Sequence, residues 1–274
     1  MNVMRIPFAK TEAHGNDFVL VAESDVDREL RERLARAICD RLRGVGADGL
    51  ILYRGLEGDF SMTLFNSDGS PAEISGNGLR GLAAYLVYRG LATRDTLEVS
   101  TGAGRLSLSL LEREDPCFRF RANMGAPRHL AKETLVVDSE SLEGTTLSLG
   151  NPHCVLFRRS FDVAELRRVG PRLEVHPRFP HKTNVEFVEV LSRSDIRMGI
   201  WERGVGETAS SGTGSSASAV ASIWNGFVQS PVRVHCPGGT MTVVWEEGSD
   251  VFLTGDASVV ADGDYFFPGT TVTP

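Results

Sequence analysis

The chain has 274 residues, 41% of them hydrophobic and 24% charged, with a formal net charge of −7. A length near the limit of a single core allows one large domain or two smaller ones, and the composition is that of a globular protein. The acidic balance and the lack of a Lys/Arg cluster with interleaved aromatics argue against a nucleic-acid binder, and no apolar run is long enough to span a bilayer.

From the start, Met1 to Lys10 has no apolar stretch of the signal-peptide kind, so the expected location is the cytoplasm. Val26, Leu30, Leu34 and Ile38 recur four apart ahead of Gly44, which predicts a helix over Val26–Leu42. The apolar run Gly49–Tyr53 predicts a strand, as do Leu106–Leu111 and Thr240–Trp245. Leu79, Leu82, Ala83, Leu86 and Val87 predict a helix directly after Gly78, and Ala217–Trp224 holds the equivalent place later in the chain. Pro116 and the Asn123–Pro127 turn put a domain boundary near residues 115–130, giving domains over 1–122 and 123–274, and the last strand can still return to the first half. The four cysteines (Cys39, Cys117, Cys154 and Cys236) have no metal-ligand spacing, so they read as buried reduced thiols and no metal site is expected.

The two halves repeat. Asp59–Phe65 matches Asp195–Trp201 at an offset of 136, Gly15–Leu20 matches Gly150–Val155 at 135, and Leu97–Gly104 matches Val232–Gly239 at 135. Two glycine turns join the series at the same offset: Ser75-Gly76-Asn77-Gly78 and Ser211-Gly212-Thr213-Gly214. One such match could be chance; four in the same order indicate a duplication. A Ser-Gly-X-Gly turn before a helix offers backbone N–H groups and the positive end of the helix dipole, which suits a carboxylate. Two of them at symmetric places suit a small acid gripped from both sides. The heads of the turns, Ser75 and Ser211, then hold the positions from which a two-base racemase would take and return an α-proton.

The motif series resembles the diaminopimelate epimerase family over nearly the whole chain. It comprises Gly15-Asn16-Asp17-Phe18, Gly44 to Gly49, Asn66 to Ser70 and Gly76-Asn77-Gly78-Leu79-Arg80. It continues with Gly150-Asn151-Pro152-His153, His176 to Pro180, Thr183-Asn184-Val185, Glu202 to Thr208 and Gly212-Thr213-Gly214. The resemblance implies an α/β (α+β) fold of two similar pseudo-symmetric domains, each a β-barrel-like sheet around a central helix, with the active site in the cleft between them. It implies proton transfer at the α-carbon of diaminopimelate or a similar amino acid, without pyridoxal phosphate or any other cofactor, in a cytoplasmic protein that forms a homodimer and has a small-molecule partner only. The residues matching the family's substrate pocket are Asn16, Asn66, Asn151 and Asn184, with Glu202 and Arg203 for the distal ammonium and carboxylate. Gly76, Asn77, Gly212 and Thr213 supply the helix ends.

At the positions of the family's two catalytic cysteines this chain has Ser75 and Ser211. A thiol ionises near 8.5 and lower still at a helix N-terminus, whereas a hydroxyl lies far higher, and each unit of mismatch costs about 1.4 kcal/mol. Epimerisation by two serines should therefore be very slow. Neighbouring positions also depart from the family, Gly81 on one side and Ser210, Ser215 and Ser216 on the other, which favours natural divergence over a laboratory substitution. Two alternatives stay open: a divergent isomerase or lyase of a specialised pathway that uses a carboxylate or histidine in place of thiols, and an inactive ligand-binding relative. The candidate alternative bases are Glu73, His153 and Glu207, with Asp68 a further candidate, although glutamates near the turns are common without a catalytic duty and a Gly-Asn-Pro-His histidine is more often structural.

Overall fold

The computed structural model of the chain describes residues 3–56, 59–72, 75–102 and 104–268. They divide into two compact units, Met1–Arg121 with Asp256–Pro274, and Ala122–Gly255.

The first unit contains β1 (Val3–Ala13), β2 (Asn16–Ala22), α1 (Arg31–Ile38), β3 (Gly49–Leu56), β4 (Asp59–Asn66), the short β5 (Pro71–Ala72), α2 (Gly76–Tyr88), β6 (Thr96–Thr101) and β7 (Gly104–Glu114). Strand β8 (Cys117–Asn123) leads out of it. β1 and β2 are antiparallel, β2 and β3 parallel, β3 and β4 antiparallel, β4 and β6 parallel, and β6 and β7 antiparallel. Alternation along β2 and β3 splits their residues between two layers. Val19, Val21, Leu50 and Leu52 pack under Leu34, Ala35 and Ile38 of α1. The opposite face meets α2, whose Gly78 lies against Ile51 and Phe18.

The second unit repeats this plan with β9 (Arg128–Val137), β10 (Glu140–Ser148), β11 (Pro152–Phe157), α3 (Val163–Glu174), β12 (Asn184–Val190), β13 (Asp195–Glu202), β14 (Gly206–Thr208), α4 (Gly212–Trp224), β15 (Val232–Cys236), β16 (Gly239–Val244) and the first residues of β17 (Phe252–Pro268), the rest of which belongs to the first unit. β11 and β12 are the parallel pair, as β2 and β3 were, and β13 and β15 match β4 and β6. Helix α3 covers one face through Leu166, Val169 and Leu173. Helix α4 packs into the other, surrounded by β10 to β13, β15 and β16. Its close fit needs small residues. Ser216 and Ser222 satisfy their buried hydroxyls on the carbonyls four residues back, at 2.9 and 2.7 Å.

The helix expected over Val26–Leu42 is shorter than the periodicity suggests. Val26 is extended, a 3-10 turn covers Arg28–Leu30, and only Arg31–Ile38 is α-helical. The Asp40 carboxylate accepts from the N–H groups of Leu42 and Arg43, so it caps a separate turn in place of a further turn of helix. That turn closes tightly at Gly44, where a Cβ would stand 2.3 Å from the Ala37 carbonyl oxygen. The cysteines are also less uniform than expected: Cys39 and Cys154 are buried, but Cys117 is exposed. Cys117 points outward because the period of two along β8 buries Phe118 and Phe120 instead.

Candidate active site

Both glycine turns take the same form. Ser75 and Ser211 are extended residues that cap α2 and α4, and each side chain accepts from the third N–H of its own helix, that of Gly78 at 3.1 Å and of Gly214 at 3.2 Å. The helix starts lie 136 positions apart, in step with the repeat. The serine hydroxyl thus uses one of the N–H groups that each turn offers.

In the first unit, the Asn77 amide reaches Asn16 Oδ1 at 3.5 Å, and the buried Arg80 donates to Asn77 Oδ1. Burial lowers the Arg80 guanidinium to about 10, against the opposing pull of Asp256 and Glu12. Asn16 donates to Asp48 at 2.5 Å, and Asp48 and Asp17 share Arg41, with Lys10 also on Asp17 at 2.9 Å. Asn66 is held on Ser70 at 2.9 Å. Burial pushes the Asp17 carboxyl up, but hydrogen bonds from Arg41 and Lys10 outweigh it and hold the group at about 2 instead of 3.8. A carboxyl depressed in the folded state contributes stability above its unfolded pKa and loses it as the pH falls through the folded one. Urea midpoints should therefore drop between pH 3.8 and about 2, and Asp17→Asn should flatten that part of the profile. An unchanged slope in the variant would remove Asp17 from the account.

In the second unit, His153 and Glu186 are fully buried and meet at 2.6 Å through Nδ1 and Oε1, while His153 Nε2 lies 3.0 Å from Asn151 Oδ1. Asn151 Nδ2 donates to Thr213 Oγ1 at 3.3 Å. This contact has the same place in the repeat as that between Asn16 and Asn77. Burial raises the Glu186 carboxyl, against the pull of His153. Asn184 donates to the Pro152 carbonyl at 3.1 Å and accepts from the Arg203 N–H at 2.8 Å. Glu202 accepts from Thr208 at 3.0 Å; burial raises its carboxyl, and the Thr208 and Ser211 hydroxyls pull the other way.

Of the alternative bases, His153 is enclosed with both ring nitrogens engaged, which fits the structural role. Glu207 is exposed and paired with Arg167 of α3 at 2.6 Å, its side chain on the face of β14 opposite to that of its neighbour Thr208. Glu73 lies outside the described residues. Two acidic residues were missed. Glu186 is one. The other is Glu174, which accepts from Trp201, Lys182 and the Gly204 N–H and so pins the turn that carries Arg203. No spacing rule marks either of them. Among the described residues no group of His, Cys, Asp and Glu could hold a metal ion, and no helix is long and apolar enough to cross a membrane.

The same fold occurs in a hydroxyproline epimerase from Agrobacterium vitis, with a TM-score of 0.71 at 16% identity over 96% of this chain and 93% of that one. It occurs also in a phenazine biosynthesis protein of the PhzF family from Bacillus anthracis, with a TM-score of 0.70 at 17% identity over 96% and 99%. This chain thus shares its fold with both, and sequence decides which family it joins. The chain is 41% identical over 274 residues to the diaminopimelate epimerase of Pelotomaculum thermopropionicum, covering 94% of this chain and 98% of that one. The sequence pattern of the family described as diaminopimelate epimerase matches residues 8–130 and 145–260. The protein is an isomerase of the racemase and epimerase class. It belongs to the diaminopimelate epimerase family.

Proposed function

We propose that the protein inverts the α-carbon of diaminopimelate or of an amino acid with the same polar far end, with Ser75 and Ser211 in the acid and base positions. The observation that carries this reading is the identical capping geometry of the two serines at equivalent points of the repeat. The α C–H bond breaks, its electron pair spreads into the adjacent carboxylate, and a proton returns to the opposite face. Backbone N–H groups of Gly76, Asn77, Gly212 and Thr213, at positive helix ends, stabilise the charge that develops on that carboxylate. Asn16, Asn66, Asn151, Asn184 and Arg203 provide N–H donors for carboxylates, and Glu202 the counter-charge for an ammonium. We infer the setting to be a cytoplasmic homodimer that works without a cofactor on a free small molecule.

The hydroxyls make proton transfer slow but leave binding intact. Incubation with meso-diaminopimelate in deuterium oxide is expected to give slow deuterium entry at the α-carbon alone. Entry at another carbon would indicate a divergent isomerase. Tight binding with no exchange would leave only a binding role.

A further inference from the structure

We propose that Glu186 is a positioning residue: its protonated carboxyl donates to His153 Nδ1, so the ring keeps its own proton on Nε2 and locks the Asn151 amide with its N–H groups turned outward to the ligand. The hydrogen bonds around His153 all have one direction. Asn151 Oδ1 can only accept, so His153 Nε2 must be the donor across 3.0 Å. With its oxygen so engaged, Asn151 presents both hydrogens of Nδ2, one to Thr213 at 3.3 Å in the first turn of α4. The other is left for a carboxylate. If the histidine carried its proton on Nδ1 instead, Nε2 would be an acceptor and the amide would reverse. Its oxygen would then face the ligand carboxylate and repel it.

The duplication supplies the control. In the register of the parallel pairs, His153 stands opposite Asn184 as Phe18 stands opposite Gly49, so Phe18 corresponds to His153 and Ile51 to Glu186. The same exchange shows at the helix: a Cβ on Gly78 would meet Ile51 and Phe18, and one on Gly214 would meet Glu186 Oε1 at 3.2 Å. One fold thus accepts an apolar pair at these positions in one unit and a buried acid–imidazole pair in the other. Stability does not call for the polar pair, since a well-packed apolar pair of similar size does as well or better. Nor is the buried carboxyl fully satisfied, because Glu186 Oε2 has no hydrogen-bond partner. The pair is retained for what it does to Asn151.

The inference rests on Asn151 being a ligand donor, so the test separates the two. Nitrogen-15 spectra of the unmodified chain should show His153 carrying its hydrogen on Nε2; a ring protonated on Nδ1 alone overturns the proposal whatever the ligand. His153→Phe with Glu186→Ile, the pair of the first unit, should keep or raise the melting temperature while weakening meso-diaminopimelate binding by roughly tenfold or more. Glu186→Gln, whose amide can still donate to Nδ1, should bind as the unmodified chain does. Unchanged binding in the double variant, or its failure to fold, overturns the proposal. If the unmodified chain does not bind diaminopimelate, the substrate reading falls and the ring-proton measurement still decides the role of Glu186.

Discussion

Placing thiols at both helix caps, Ser75→Cys with Ser211→Cys, is expected to raise the rate of α-proton exchange and of epimerisation by about 10²- to 10⁴-fold, the size of a well-matched acid–base contribution. The physical case lies in the caps. Each serine Oγ already sits on a helix N–H, at 3.1 Å from Gly78 and 3.2 Å from Gly214. A sulfur in that place meets an electropositive helix end, which draws its pKa down from about 8.5 toward neutrality. Each single variant should speed exchange starting from one α-configuration more than from the other, because only one of the two groups then matches the task. The gain has a cost in stability of about 1 kcal/mol per helix, since cysteine caps a helix less well than serine. Diaminopimelate isomers followed by proton NMR in deuterium oxide give both numbers. No gain in the double variant would mean that more than the thiols separates this chain from an active epimerase.

Arg80→Ala should cost about 3–5 kcal/mol of stability, read as a fall in the urea midpoint. Arg80 is 1% exposed and is one of the largest fully buried side chains. Its guanidinium holds the Asn77 amide oxygen and stands near Asp256 and Glu12. Alanine would leave those carboxylates without the cation and open a cavity under the first turn of α2. The loss should reach the site as well, because Asn77 with its oxygen released no longer has to direct its N–H to Asn16. His14 responds in parallel: burial first and the Arg80 charge second hold its imidazole down at about 4, so the variant should raise that value. Arg80→Lys keeps the charge without the planar fork and should fall between the two. A midpoint within about 1 kcal/mol of the unmodified chain would remove Arg80 from this role.

The parts of this architecture that were readable beforehand are those that backbone geometry enforces. The two glycine turns, the strand at Gly49 and the helices after Gly78 and Gly214 follow from residues with few other conformations, and the repeat spacing doubles each signal. The helix over Val26–Leu42 failed for a local reason: four-residue periodicity continues past Ile38, but Asp40 competes for the backbone, and Val26 belongs to an extended segment. Of the candidate site, Asn16 and Asn151 were marked by a Gly-Asn pair that recurs in the repeat, and Glu202-Arg203 by the family resemblance alone. Glu186 was not, since Asn184–Val190 is buried along most of its length and one acidic residue within it looks like any solvated strand position. Its meaning appears only when the register sets it against Ile51. Glu174 was hidden for a similar reason, as a helix-end acid whose three donors come from three separate segments.

Strand β17 gives its first residues to the second unit and the rest to the first, where it runs antiparallel to β1 from Val3 opposite Pro268 to Glu12 opposite Ser258. Synthesis on the ribosome therefore completes the units in the reverse of their order. The second unit is contiguous from Ala122 to Gly255 and can close as soon as it has emerged. The first, made earlier, must wait with β1 missing a neighbour along almost its whole length until β17 is made. An unpaired strand edge of that kind is a template for pairing with another chain. The nascent first half is thus the part of this protein most exposed to misassembly and most in need of chaperone cover.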